Sequence, residues 1–181
     1  MKQLFLMLTV PFFLLPFNKK LSKAQFQSTR VEKSATIQLN GKIEKVFPLF
    51  GVFEERKWAN EWAPVVVYPT SELIEEGTTF KTHGHGHHED GFLWIVTKYQ
   101  PEEHLIQYLV STENRFWTIT VKCKALNSAV TTAEITYRFT SLNENGNEIN
   151  PVMLQAIYKH DLKDWEKAIN YYLETGKTLQ E

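Results

Sequence analysis

The chain has 181 residues, 43% of them hydrophobic and 23% charged, with a formal net charge of −1. That length suits one domain rather than two, and the ordinary globular balance excludes a disordered or fibrous protein. No clustered Lys/Arg patch is present, so nucleic acid is not an expected partner, because phosphates demand a basic surface.

The chain opens with a segment that reads as a signal peptide over residues 1–24. Lys2 supplies a positive start, and an apolar run from Leu4 to Phe17 follows, broken only by Thr9, Pro11 and Pro16. Its 14 residues are too few for a helix to cross a bilayer, which takes about 20, but they match the apolar region of a secretory signal. Ser22-Lys23-Ala24 offers a small residue before a cut, and an uncleaved anchor is the alternative. Cleavage removes four lysines and no acid, leaving 16 basic against 21 acidic residues. Residues 25–181 are then expected to form one exported domain, periplasmic or secreted, without a stable membrane span. Cys123 is the only cysteine, so no internal disulfide is expected.

Val31 to Leu39 alternates, with Val31, Ala35, Ile37 and Leu39 on one parity, as in a half-buried strand. Ile43, Val46, Phe47 and Phe50 then fall at helical spacing, and Pro48 predicts that this short helix bends or restarts. Phe53, Trp58 and Trp62 continue in a second short helix or arm. Strands are predicted over Val65–Tyr68, Thr78–His83, Phe92–Tyr99, Leu105–Ser111, Phe116–Ala125 and Thr132–Leu142. The last two alternate cleanly, which marks antiparallel strands with one wet face. Asn150 with Pro151 predicts the start of a long helix running to Glu174, with Gly176 past its end. Leu154, Tyr158, Leu162, Trp165, Ile169 and Tyr172 form its apolar stripe. The expected class is α+β: a curved antiparallel sheet of about six to seven strands wrapped around a long C-terminal helix.

This order of elements resembles the helix-grip fold of the START-related, polyketide cyclase and birch-pollen-allergen superfamily (SRPBCC). Lys45-Val46-Phe47-Pro48-Leu49-Phe50, Glu54-Glu55-Arg56-Lys57-Trp58 with Trp62, Gly77 to His83, and Trp94 to Tyr99 are similar to a bacterial branch of it. The resemblance spans about residues 30–176 and implies a cavity for lipids, sterols, polyketides or aromatic metabolites. Some members are cyclases or dehydratases, and many only bind or carry.

Three sites are candidates. The first is an apolar pocket lined by Trp58, Trp62, Trp94, Val96, Tyr108, Trp117, Ile119 and Tyr137, with Leu162, Trp165 and Ile169 from the helix. Tyr108, Tyr137 and Trp117 are large aromatics with polar tips, each able to offer one hydrogen bond to a ligand. The alternative is a plain packed core. The second is the run His83-Gly84-His85-Gly86-His87-His88-Glu89-Asp90. In an extended segment His83, His85 and His87 share a side, and with Glu89 or Asp90 they are a possible zinc or copper site. The alternative is a polar loop. The third is acid–base chemistry by Glu54, Glu55, Arg56 or His104, Glu55 having a raised pKa if buried beside Trp58 and Trp62. The alternative is a surface carboxylate paired with Arg56 or Arg115. No nucleophile elbow, phosphate loop or zinc-protease motif is present. The primary expectation is therefore a binding protein for a hydrophobic small molecule. The alternatives are a cyclase- or dehydratase-type enzyme and a metal-binding protein. A carboxylate meeting a His or Tyr inside the cavity separates the first two.

Overall fold

A computed structural model describes residues 25–84 and 89–180. The predicted signal peptide lies outside them. The segments expected to be strands are strands: β1 (Arg30–Leu39), β2 (Val65–Tyr68), β3 (Thr79–His83), β4 (Gly91–Gln100), β5 (Leu105–Ser111), β6 (Arg115–Ala125) and β7 (Thr131–Ser141). They form one open antiparallel sheet in the order β1-β7-β6-β5-β4-β3-β2. Between β1 and β2 the chain makes a four-residue helix, α1 (Ile43–Val46), and restarts at once as a 3-10 turn over Phe47–Phe50. Pro48 sits in the first turn of that restart, where its missing N–H is no loss.

Register decides what the inner face offers. Val96, Tyr108, Ile119 and Tyr137 are successive cross-strand partners, and Trp94, Val110, Trp117 and Phe139 form the neighbouring row. Directly opposed residues point to the same side, so the two rows together are a broad aromatic floor.

The C-terminal region corrects the expectation of one long helix. Two helices are present, α2 (Glu144–Ile157) and α3 (Lys163–Thr175). The first begins earlier than Asn150 because Asn143 is its N-cap, the side-chain oxygen accepting from the Gly146 N–H at 3.1 Å. Asn150 is instead buried in the helix, donating through Nδ2 to Ser141 Oγ, and Pro151 lies inside the helix. Between the helices Asp161 and Leu162 adopt left-handed backbone, with φ of 47° and 59°. Such φ values are unusual for residues with a Cβ, but they return Leu162 to the core at 1% exposure. Tyr158 anchors the break, its hydroxyl donating to the Ile135 carbonyl at 2.8 Å on β7. Leu154, Tyr158, Leu162 and Ile169 all remain buried, so the apolar stripe survives although the helix does not. The pair packs on β7 and β1. Among the described residues no helix is long and apolar enough to cross a membrane.

Candidate functional site

The arm from Phe47 to Trp62 is held across the inner face by side-chain hydrogen bonds to backbone carbonyls. The indole N–H groups of Trp58 and Trp62 donate to Leu49 and Val52, at 2.7 and 2.8 Å. The Tyr108 hydroxyl, rising from β5, donates to Phe50 at 2.8 Å. Gly51 permits the close crossing: a Cβ there would stand 2.4 Å from Ile74 Cδ1 and 3.1 Å from the Pro48 carbonyl. One turn later the Glu55 N–H donates to the Gly51 carbonyl at 2.9 Å and opens a second 3-10 turn, Glu55–Lys57.

The charged residues of this turn divide by direction. Lys57 pairs with Glu54, and Arg56 pairs with Glu72 at 2.6 Å, both at the surface. Glu55 turns inward and lines a chamber of about 360 Å³. The arm contributes Phe50 and Trp62, the sheet Trp94, Tyr108, Ile119, Val121 and Tyr137, and α3 Trp165. A second chamber of about 190 Å³ adjoins it, sharing Trp62, Trp94, Ile119 and Tyr137 as common walls. Its remaining walls are Thr82, Phe92, Arg115, Trp117 and Phe139 from the sheet, and Met153 and Ile157 from α2.

Three polar groups meet these chambers without a protein partner among the described residues. Glu55 makes no side-chain hydrogen bond or ion pair, and burial alone pushes its carboxyl up to about 8. A carboxylate stripped of water and given no donor holds its proton more tightly. The residue as a whole is half-buried and lines the chamber. The Tyr137 hydroxyl also lacks a partner, and burial together with the nearby Glu55 carboxyl raises its pKa, so it remains a neutral O–H donor. The third group is Arg115 Nη1. Arg115 is 1% exposed and is held from its other side by Glu89, with Nε to Oε1 at 3.0 Å and Nη2 to Oε2 at 2.5 Å. Its guanidinium lies over the rings of Trp117 and Phe139, at 4.8 and 5.4 Å, where the ring faces attract the cation.

Of the residues expected to line a pocket, Trp62, Trp94, Tyr108, Ile119, Tyr137 and Trp165 surround the larger chamber, and Trp117 the smaller. Val96, Leu162 and Ile169 line neither chamber and are packed solid, at 0%, 1% and 0% exposure, and Trp58 lines neither chamber but borders a separate hollow beside Trp165. Val96 lies under the Glu75–Thr78 turn, exchanging backbone hydrogen bonds with Gly77 and Thr78. Trp58 is pinned through its N–H and packs on Trp165 at a 5.4 Å ring separation. Tyr108 does not reserve its hydroxyl for a ligand, since Phe50 already accepts it. His104 is outside the chambers, its ring meeting the edge of Phe47 at 5.6 Å. Arg115 was not among the expected lining residues, although it shares the inward parity of Trp117 and Ile119 on β6, and an arginine on an apolar parity is a readable signal.

Of the histidine run, His83 is exposed at the end of β3, and His85 and His87 lie outside the described residues. Glu89, considered as a carboxylate ligand, has both oxygens on Arg115 and also accepts from the Thr112 hydroxyl at 2.7 Å. Among the described residues no group of three potential ligands converges. Another hollow, about 500 Å³, is a groove running past His83, Lys81, Asp90 and Val65. Its charged and imidazole side chains, Lys81, His83 and Asp90, are exposed, unlike the Arg115 guanidinium of the smaller chamber.

No family model and no curated protein matches the chain. Solved structures do. A norcoclaurine synthase point mutant from Thalictrum flavum, in complex with a transition-state analogue, aligns with a TM-score of 0.62 at 9% identity, covering 84% of this chain and 100% of that one. The ZhuI aromatase/cyclase from Streptomyces sp. R1128 aligns at 0.60 and 12%, covering 82% and 94%. A START superfamily protein from Mycobacterium smegmatis aligns at 0.59 and 13%, covering 81% and 99%. The chain therefore shares the helix-grip fold of these structures, and at such identities the likeness concerns the fold alone.

Proposed function

We propose that this protein binds an apolar, ring-bearing small molecule that carries an oxygen function, in the two chambers between the sheet and the helices α2 and α3. The reading rests on one observation: a carboxyl, a phenol and a guanidinium N–H meet an aromatic hollow without partners. A packed core rarely leaves buried polar groups unsatisfied, because each costs about 1–3 kcal/mol. A ligand oxygen supplies what they lack. The combined space is of the order that encloses small ligands, and flat aromatic walls favour rings over acyl chains. The folds that align include a synthase and an aromatase/cyclase, which is compatible with this class of ligand. The N-terminal segment, if it acts as a secretory signal, assigns the binding to the periplasm or the exterior.

The test uses N-phenylnaphthylamine, a neutral dye that brightens in apolar surroundings. Wild-type protein is expected to bind it, and Ile119→Trp to weaken binding at least about tenfold, because Ile119 faces both chambers and a larger side chain fills them. Equal affinity in the two proteins would move the dye to the exposed β2 edge, where Val65 and Val67 are 61% and 52% exposed, and would remove the interior binding site.

A further inference from the structure

Within the larger chamber, two of the unpaired groups are arranged for more than holding a ligand. Glu55 comes from the arm and Tyr137 from β7, and both line the same hollow. They are near enough that the Glu55 charge bears on the Tyr137 hydroxyl. We infer that Glu55 and Tyr137 form a proton-transfer pair that acts on the bound molecule, whose class is an apolar carbonyl compound. This rests on the binding proposed above and adds a reaction to it.

The step balances without any cofactor. The Glu55 carboxylate takes a proton from the carbon next to the carbonyl. The C–H electron pair becomes a carbon–carbon double bond, and the carbonyl π pair moves onto oxygen. Tyr137 donates a hydrogen bond to that oxygen as it becomes negative. Returning the proton from Glu55 to the far carbon or to the oxygen completes a tautomerisation, with nothing oxidised or reduced. A base works best when its pKa is close to the working pH, and the buried carboxyl at about 8 meets that condition where a solvated one does not. Tyr137, held as a neutral donor, is suited to a developing oxyanion in a water-poor site.

The surroundings do not obscure the titration. Facing Glu55 are Tyr108 from β5 and Tyr137 from β7, both with raised pKa values, and Asp164 on α3 acts on Tyr137. On its own turn Glu54, Arg56 and Lys57 are directed to solvent in ion pairs. Tyr108 is a positioning residue here, since its hydroxyl is committed to Phe50.

The probe is nitrobenzisoxazole, a flat heterocycle small enough for the chamber. Removal of its ring C–H proton by a carboxylate forms a nitrile, breaks the N–O bond and leaves a coloured phenolate. Wild-type kcat/KM is expected to rise with pH and level off above about 8. Glu55→Gln is expected to lower kcat at least about 100-fold, and Tyr137→Phe about tenfold, through loss of one hydrogen bond to the phenolate oxygen. N-phenylnaphthylamine is expected to inhibit competitively. A wild-type rate unchanged by Glu55→Gln, or one independent of pH, overturns the proton-transfer pair and leaves the binding site standing if the dye still binds. Failure of wild-type protein to bind the dye removes the binding site itself.

Discussion

Glu55→Gln is expected to make the protein more stable at pH 8 and to leave it unchanged near pH 4. The folded-state carboxyl titrates at about 8, against an ordinary value of 4.5. Below 4.5 both folded and unfolded chains hold the proton, and Glu55 carries no penalty. As the pH rises from there the unfolded chain releases its proton while the folded chain retains one, so stability falls until the folded group itself ionises near pH 8. A fully dry site would lose about 5 kcal/mol over that window. Water that reaches the carboxyl through the chamber reduces the loss to about 2–3 kcal/mol. Gln has the shape of the neutral acid and does not titrate, so the variant escapes the loss. Urea denaturation at the two pH values measures it. A residue that destabilises its own fold at neutral pH is expected at a functional site and is anomalous in a passive core.

Arg115→Met is expected to act in the opposite direction, lowering stability by about 3–5 kcal/mol. Arg115 and Glu89 are both 1% exposed through their side chains, so removing the guanidinium takes a charged, bidentate partner away from a buried carboxylate. Glu89 also accepts from the Thr112 hydroxyl, a hydrogen bond that carries no charge. Adding Glu89→Gln to Arg115→Met is expected to recover about 2 kcal/mol, because the buried charge goes together with its guanidinium partner. The measurement is the urea midpoint of the three variants against wild type. A loss below about 1 kcal/mol for the single variant would mean that the pair is solvated. The pair also joins Glu89, just ahead of β4, to the inner face of β6, where Arg115 borders the smaller chamber.

Strand sequence was largely transparent because an antiparallel sheet with one wet face writes itself as period-two alternation. β2 and β5 begin and end at the residues expected of them, and the boundaries of the others move by one residue. The break between α2 and α3 was opaque for an equally physical reason. Leu154, Tyr158, Leu162, Trp165 and Ile169 keep helical spacing across it, and no Gly or Pro interrupts them. The interruption arises from tertiary anchoring of Tyr158 on β7 and from left-handed backbone at Asp161 and Leu162, neither of which has a local signature. Asn143 competed with Asn150 as the cap, and Pro151 misled because proline is preferred at a first turn yet here sits within the helix.

The floor of the site followed from register and was legible in Trp94, Tyr108, Ile119 and Tyr137. Which inward residues face space and which face one another was not. Val96 and Tyr108 are directly paired across strands, yet only Tyr108 borders the hollow. That difference depends on what the arm and helices place above each position. Glu55 showed the same ambiguity: three charged neighbours in one short turn gave no sign of which would turn inward until the turn was in place over Gly51.

The claim on which the binding and the chemistry both depend is that Glu55 carries a carboxyl with a raised pKa, facing a hollow that an apolar molecule can fill. Carbon-13 NMR of protein labelled at the glutamate carboxyl carbons tests it directly. One resonance is expected to titrate at about 8, to vanish in Glu55→Gln, and to shift when N-phenylnaphthylamine is added. A Glu55 resonance that titrates near 4.5 and does not respond to the dye would contradict the account.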